Sequence, residues 1–480
     1  MEQFREDSNE QIKCQLQEDT QASSKKKYIE LVTEQMRCKK ARDMVAKELC
    51  DHIEDQTEVY EEFGLSHEEA EERAVEQMGD PVEVGTKMDR IHRPRVDSRM
   101  IGYIAILAVV GMVVQYLMSK SAVDAVGAEN IIGFTGFGSI FVDGLIGFAI
   151  MLGVMFVDYS FLGKHPVAVY AGLMILLCVY DISEIWFLYP SLNTTNISGL
   201  SALIILLFAA VVYHYRNKGY KGIMLCLLWL FLGFLFLSRM SGVSLAAAVT
   251  LFTTGILTLS FAVYKGWFNV KKRNALIFLW GIWLVPLVGA VTALATGLIG
   301  KAYQVERIRA FLNPIDDPNG SGFVATQMRE RLGDLQLFGS GIGEDVYYWW
   351  YSLSFVLEKY GIAMGVLLIG TLMLVFGKML SGVIKQQNRL GTLLGVAAIG
   401  YLIATTGLHV LVSLTLLPAT SAYLPFFTEG TAATIGCYML LGVYLSVHRN
   451  AMILSEKRSV PKRRISIQIE QVNEVTKSPF

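Results

Sequence analysis

Between Glu306 and Gly322 an otherwise apolar chain carries two arginines, Arg307 and Arg309, two turn signatures, Asn313-Pro314 and Asp317-Pro318, and two glycines, Gly320 and Gly322. A spacer between membrane spans needs only to be polar. This composition asks for a defined shape, and loops of that kind carry function more often than scaffolding. A guanidinium presents a planar fork of donors to an oxyanion. Arg307 and Arg309 therefore either contact a ligand or pair with Glu306, Asp316 or Asp317 and stiffen the loop. Asp317 reads first as a turn residue. A second set of candidates lies within apolar stretches: Asp143, Asp181, Glu184, Glu358, His409 and Glu429. Ionisable groups are costly in lipid and are functional candidates by default. Glu358, beside Lys359, is the favoured polar anchor, with a helix–helix hydrogen bond as its alternative role. Tyr347, Tyr348, Trp349, Trp350 and Tyr351 form an interfacial aromatic belt or a sugar-stacking platform.

The elements that must position these groups are membrane spans. The chain has 480 residues, 53% of them hydrophobic, and a mean hydropathy of +0.42, too apolar for a soluble protein of this size. A span needs ~20 apolar residues. Candidates fall at 100–118, 138–157, 166–187, 199–215, 222–238, 243–264, 275–299, 351–380, 391–417 and 429–447. The fold class expected is thus an all-α polytopic membrane protein of about ten transmembrane helices, with a large loop, 300–350, between the seventh and eighth. Pro286 is expected to kink the seventh.

Lysines and arginines set the orientation. They fill one set of loops: Arg216, Lys218 and Lys221; Lys265, Lys271, Lys272 and Arg273; Lys378, Lys385 and Arg389. Loops 188–198 and 418–428 contain none. This predicts both termini in the cytoplasm and the 300–350 loop outside. No apolar core follows a basic start, so no signal peptide is expected. The net charge of −1 says nothing about partners, and no nucleic-acid partner is expected. The six cysteines form no CxxC pair, which argues for reduced or membrane-packed thiols.

The polar front end divides into a disordered lead, 1–27, and a cytosolic helical domain, 28–98. Gly64 closes one helix, Ser66 and Glu69 form a capping box for the next, Gly79 ends it, and Asp80-Pro81 opens another. Ile29, Leu31, Val32, Met36, Met44, Val45, Leu49 and Ile53 recur at helical spacing. Glu48, His52 and Asp55 read as a solvated face, and no metal site is assigned. The pattern resembles the permease-prefix domains that precede bacterial membrane proteins. A transmembrane domain, 99–448, and a basic tail, 449–480, follow.

Within the membrane domain, Arg307, Ile308, Phe311, Leu312, Asn313, Pro314, Asp317, Pro318, Gly320, Gly322, Gln327, Gly339 and Gly341 keep one spacing; Pro418, Thr420, Leu424, Pro425, Phe426 and Gly430 keep another. These blocks resemble the SEDS family (shape, elongation, division and sporulation; the FtsW/RodA/SpoVE group). The resemblance implies a glycosyltransferase of peptidoglycan synthesis that polymerises lipid II, or a related undecaprenyl-linked sugar, outside the bacterial cytoplasmic membrane. It implies Arg307, Arg309, Asn313, Asp317, Gln327 and Glu358 as substrate-binding residues, with Arg307 and Arg309 on the pyrophosphate. A divalent metal, Mg or Mn, is the possible cofactor, and a class B penicillin-binding transpeptidase the partner, alongside membrane lipid. Trp350 stands where the family's catalytic carboxylate is expected, which leaves Asp345, then Glu344, as candidate bases. A catalytically inactive scaffold and a flippase for the lipid-linked precursor are the alternatives.

Overall fold

The computed structural model describes residues 24–94, 96–126, 137–186, 200–239, 245–296, 298, 302–313, 323–339, 351–386 and 388–451. Four helices come first: α1 (Ser24–Glu34), α2 (Lys39–Glu62), α3 (His67–Gln77) and α4 (Pro81–His92). α1 begins inside the stretch expected to be a polar lead. Val32, Met36, Val45, Leu49 and Ile53 are buried with Tyr28 and Ala74, while Leu31 faces solvent. The helix boundaries follow local chemistry. Ser66 Oγ accepts the Glu69 N–H at 3.4 Å, and Glu69 Oε2 accepts the Ser66 N–H at 3.2 Å. Asp80 Oδ1 accepts the Val82 N–H at 3.1 Å ahead of Pro81. Gly64 and Gly79 leave their helices at φ +93° and +82°, a conformation glycine adopts without a Cβ penalty. Glu48, His52 and Asp55 are exposed or nearly so.

The apolar helices are α5 (Ser98–Val126), α6 (Phe137–Phe156), α7 (Pro166–Trp186), α8 (Leu200–His214), α9 (Gly219–Arg239), α10 (Leu245–Tyr264) and α11 (Lys272–Ala295). Beyond two shorter helices, α12 (Ala302–Leu312) and α13 (Phe323–Gly333), come α14 (Ser352–Tyr360), α15 (Ile362–Ile384), α16 (Arg389–Ser413) and α17 (Thr431–Arg449). Among the described residues, eight helices are long and apolar enough to cross a membrane: α5, α6, α9, α10, α11, α15, α16 and α17. α7 and α8 are apolar but shorter there. Helices suit this setting because lipid offers nothing to an unpaired backbone amide.

α8 occupies the centre. Ile204, Phe208, Ala209, Ala210 and Val211 have no exposed surface, because α7, α9, α10, α16 and α17 all pack on it. A helix apolar all round demands such a position. α6 and α17 run close together on small residues: a methyl added at Gly442 would meet Met151 O at 2.8 Å. α11 lies at the edge, with Val285 and Val288 largely exposed, and runs on through Pro286.

One expected span is corrected. The stretch 351–380 is two helices, α14 and α15, broken at Gly361, and the span itself is Ile362–Ile384. Gly361 adopts φ +91° and ψ 171°, a region essentially restricted to glycine. Among its described residues, the 300–350 stretch likewise holds two helices, α12 and α13.

Candidate functional site

The break at Gly361 anchors the segment that follows α13. Gly339 N–H donates to Tyr360 O at 3.1 Å, Ile362 N–H to Gln336 O at 3.0 Å, and Ala363 N–H to Leu337 O at 3.1 Å. A side chain at 361 would stand 2.6 Å from Leu337 O and 2.8 Å from Gly339 N. Glycine is therefore required twice over, for its φ and for this close approach. The Ile362 and Ala363 amides, orphans at the start of α15, are satisfied by the carbonyls of Gln336 and Leu337.

Side chains fasten the same unit. Arg331 Nη1 on α13 lies 2.9 Å from Glu358 Oε2 on α14, with the two side chains only 14% and 16% exposed. Burial pushes the Glu358 carboxyl above the usual carboxylate range, with the Arg331 hydrogen bond and charge pulling it back. Arg329 Nη2 donates to Phe311 O at 2.9 Å and its guanidinium covers the Phe311 ring, tying α13 to α12. Met328 is buried with Tyr351, Val412 and Ala422.

His409, on α16 and without exposed surface, joins three elements. Its Nε2 accepts the Leu353 N–H at 3.3 Å, and its Nδ1 faces Ala422 O at 2.9 Å. Those partners assign the proton to Nδ1, since an amide must meet a lone pair and a carbonyl must meet a hydrogen. The ring thereby caps the start of α14, where Tyr351 supplies no side-chain cap, and holds the loop between α16 and α17. Tyr351 adds a hydroxyl bond to Thr420 O at 3.1 Å. Thr428 Oγ1 accepts the Leu424 N–H at 2.9 Å and lies 3.3 Å from Ser352 Oγ. Gln115 Nε2, from α5, donates to Phe426 O at 2.7 Å, at a residue whose φ is +72°.

The residues singled out by sequence distribute as follows. Arg307 and Arg309 both belong to α12. Arg309 is exposed. Asn313 follows α12, exposed, with its N–H donating to Arg309 O at 2.8 Å. Gln327 is half-buried on α13. Glu358 sits on α14 rather than inside a span. Asp317, Glu344, Asp345 and Trp350 lie outside the described residues, as do Tyr347, Tyr348 and Trp349. Asp143 Oδ2 accepts the Thr431 hydroxyl at 2.7 Å. Sequence reasoning missed Arg331, which carries no local signal, and Gln115, whose lone amide in an apolar helix was a usable one.

Glu358 is committed to Arg331, and among the described residues no three His, Cys, Asp or Glu side chains gather.

A family model for a cell cycle protein matches residues 98–453. A protein of Geobacter sp. (strain M18) named probable peptidoglycan glycosyltransferase FtsW is 28% identical over 324 residues, 63% of this chain and 84% of that one. Stage V sporulation protein E of Bacillus subtilis (strain 168) is 26% identical over 181 residues, 36% of this chain and 48% of that one. For most of the curated relatives it matches, the chain spans about half their length. A chain from a solved peptidoglycan synthase complex, described as coordinating polymerization and crosslinking, shares the fold at a TM-score of 0.54 and 20% identity, over 74% of this chain and 98% of that one. The helices α1–α4 precede the matched region. Helices α5 to α17 lie within it, so the chain belongs to the FtsW/RodA/SpoVE family of cell cycle proteins.

Proposed function

We propose that this protein acts in peptidoglycan synthesis during division, elongation or sporulation, polymerising lipid II or a related undecaprenyl-linked sugar at the outer face of the bacterial cytoplasmic membrane. The lysine and arginine pattern supports that orientation, with both termini in the cytoplasm. The observation that carries the reading is the docked platform of α12, α13 and 336–339, held to α14 and α15 by backbone pairing and by Arg331–Glu358. A polymerase of this kind needs a rigid surface over the lipid-linked sugar, a base for the attacking hydroxyl, and cations for the departing pyrophosphate.

In this scheme Asp345, with Glu344 as second candidate, takes the proton from the attacking sugar hydroxyl. Arg307 and Arg309 bind the pyrophosphate, and Asn313, Asp317 and Gln327 shape the binding surface. His409 and Tyr351 hold the start of α14, onto which the Asp345 segment leads. Glu358 serves as an anchor, its charge met by Arg331. A single-span class B penicillin-binding transpeptidase is the partner proposed for this face.

The second reading is a non-catalytic scaffold that keeps the platform and recruits the transpeptidase. Trp350, at the position of the family's carboxylate, favours it, because an indole accepts no proton. Purified protein incubated with lipid II, with and without Mg or Mn, separates the two. Polymer formation abolished by Asp345→Ala and weakened by Arg307→Ala supports the polymerase. Transpeptidase capture without polymer supports the scaffold. Lipid II movement across liposomes without polymer would displace both in favour of a carrier.

A further inference from the structure

The α2 C-terminus presents an apolar patch inside a strongly acidic surface. Val59 and Phe63, one turn apart, are 44% and 78% exposed, and Leu65 is 38% exposed. Leu65 folds back on the same turn, its N–H donating to Tyr60 O at 3.3 Å. From Glu48 to Asp80 the chain carries thirteen Asp or Glu residues against one arginine, Arg73. Glu58, Glu61, Glu62, Glu68 and Glu69, which surround the patch in sequence, are all exposed.

The other cytosolic segment is its complement. Residues 449–464 carry six Lys or Arg against one Glu, and Ile465, Ile467 and Ile469 alternate immediately beyond. The tail begins beside the end of the prefix: His448 Nε2, in the last turn of α17, lies 3.8 Å from Asp97 Oδ2, between α4 and α5. Extended chain covers ~3.3 Å per residue, so residues 452–461 alone reach roughly 30 Å. α2, with 24 residues, is about 36 Å long.

We propose that the basic tail of this chain, Lys457–Ile469, docks on the Val59–Phe63–Leu65 patch of the helical prefix. The isoleucines cover the apolar residues and Lys457, Arg458, Lys462, Arg463 and Arg464 meet the surrounding carboxylates. An anionic bilayer would attract the same cations. It would leave Phe63 uncovered, and the joint match of apolar and charged groups favours the prefix. This inference stands apart from the catalytic reading.

The test uses the full chain in nanodiscs of phosphatidylcholine, or of phosphatidylcholine with phosphatidylglycerol, and follows amide hydrogen exchange at 58–65 and 457–472. A tethered site at an effective concentration of ~1 mM, with a dissociation constant of ~0.1 mM, is about nine-tenths occupied, so exchange slows about tenfold. Reversing the tail charges (K457E, R458E, K462E, R463E and R464E together) is expected to remove protection at 58–65 in both lipids. F63S, at a solvent-facing position that spares the prefix core, is expected to expose 465–472. Unchanged slow exchange in α1 reports that each variant's prefix remains folded. Tail protection seen only with phosphatidylglycerol, with 58–65 unaffected by charge reversal, would assign the tail to the membrane and overturn the proposal. Exchange at 58–65 indifferent to the tail in both lipids would overturn it equally.

Discussion

Replacing Arg331 with methionine tests the platform most directly. The substitution leaves the Glu358 carboxylate, 16% exposed, without the guanidinium 2.9 Å away. Breaking a fully buried pair by removing one partner costs ~3–5 kcal/mol. Residual exposure lowers that figure, as does the ability of Glu358 to take up a proton, helped by a carboxyl that burial already favours in its neutral form. A cost of about 2–3 kcal/mol remains, equivalent to a roughly 30- to 150-fold rise in local opening. The amides to watch are Gly339, Ile362 and Ala363, which close the junction between 336–339 and the helix break. Hydrogen exchange read by mass spectrometry should accelerate there by that factor while α8 amides stay unchanged. The double variant Arg331→Met/Glu358→Leu removes both charges and should return to within about 1 kcal/mol of the parent. Exchange in the single variant within about threefold of the parent, or a double variant opening as readily as the single, would refute the assignment of this pair as the anchor.

Gly361→Ala should cost about 3 kcal/mol or more, combining a forbidden φ with a methyl pressed on Leu337 O, and should expose 334–339 to proteolysis; an unchanged digestion pattern would count against the junction. His409→Leu strands the Leu353 N–H and the Ala422 carbonyl, at about 1–3 kcal/mol each. Thermal unfolding in detergent should show that loss, with His409→Asn recovering part of it through its amide. Glu61 raises the His67 pKa above its ordinary 6.5 by hydrogen bond and charge. A raised folded value means the pair's contribution is complete below pH ~6.5 and fades as pH rises through the folded pKa. His67→Ala should abolish that slope in melts of the prefix helices, and high salt should flatten it because the pair is exposed.

Much of the architecture was legible in the chain. Hydropathy placed the spans, since a helix in lipid must be both long and apolar, and the capping box at Ser66 and Glu69 placed α3 because its two bonds are local. The residues of the blocks around Asn313 and Pro418, in their spacing, resembled those of the family. The candidate site was less legible. Glu358 was singled out as a polar anchor with a helix–helix hydrogen bond as its alternative, and it makes a bond of the second kind; the partner was not legible, because Arg331 is 27 residues away and meets it only when α13 folds onto α14. The break at Gly361 was also missed: apolar runs on either side of Glu358 and Lys359 read as one span, and only the pairing with 336–339 makes the interruption worthwhile.

By itself, then, the sequence determined what depends on neighbours along the chain: helix lengths, caps, the polar front end, the basic loops and the family's turn motifs. Tertiary structure alone decided which groups meet. It placed α8 at the centre, set His409 as the neutral bridge between Leu353 and Ala422, and matched Arg331 to Glu358. The physical reason is that burial and hydrogen-bond pairing are properties of space. A lone imidazole, amide or guanidinium in an apolar sequence announces a cost, and the fold alone chooses the partner that offsets it.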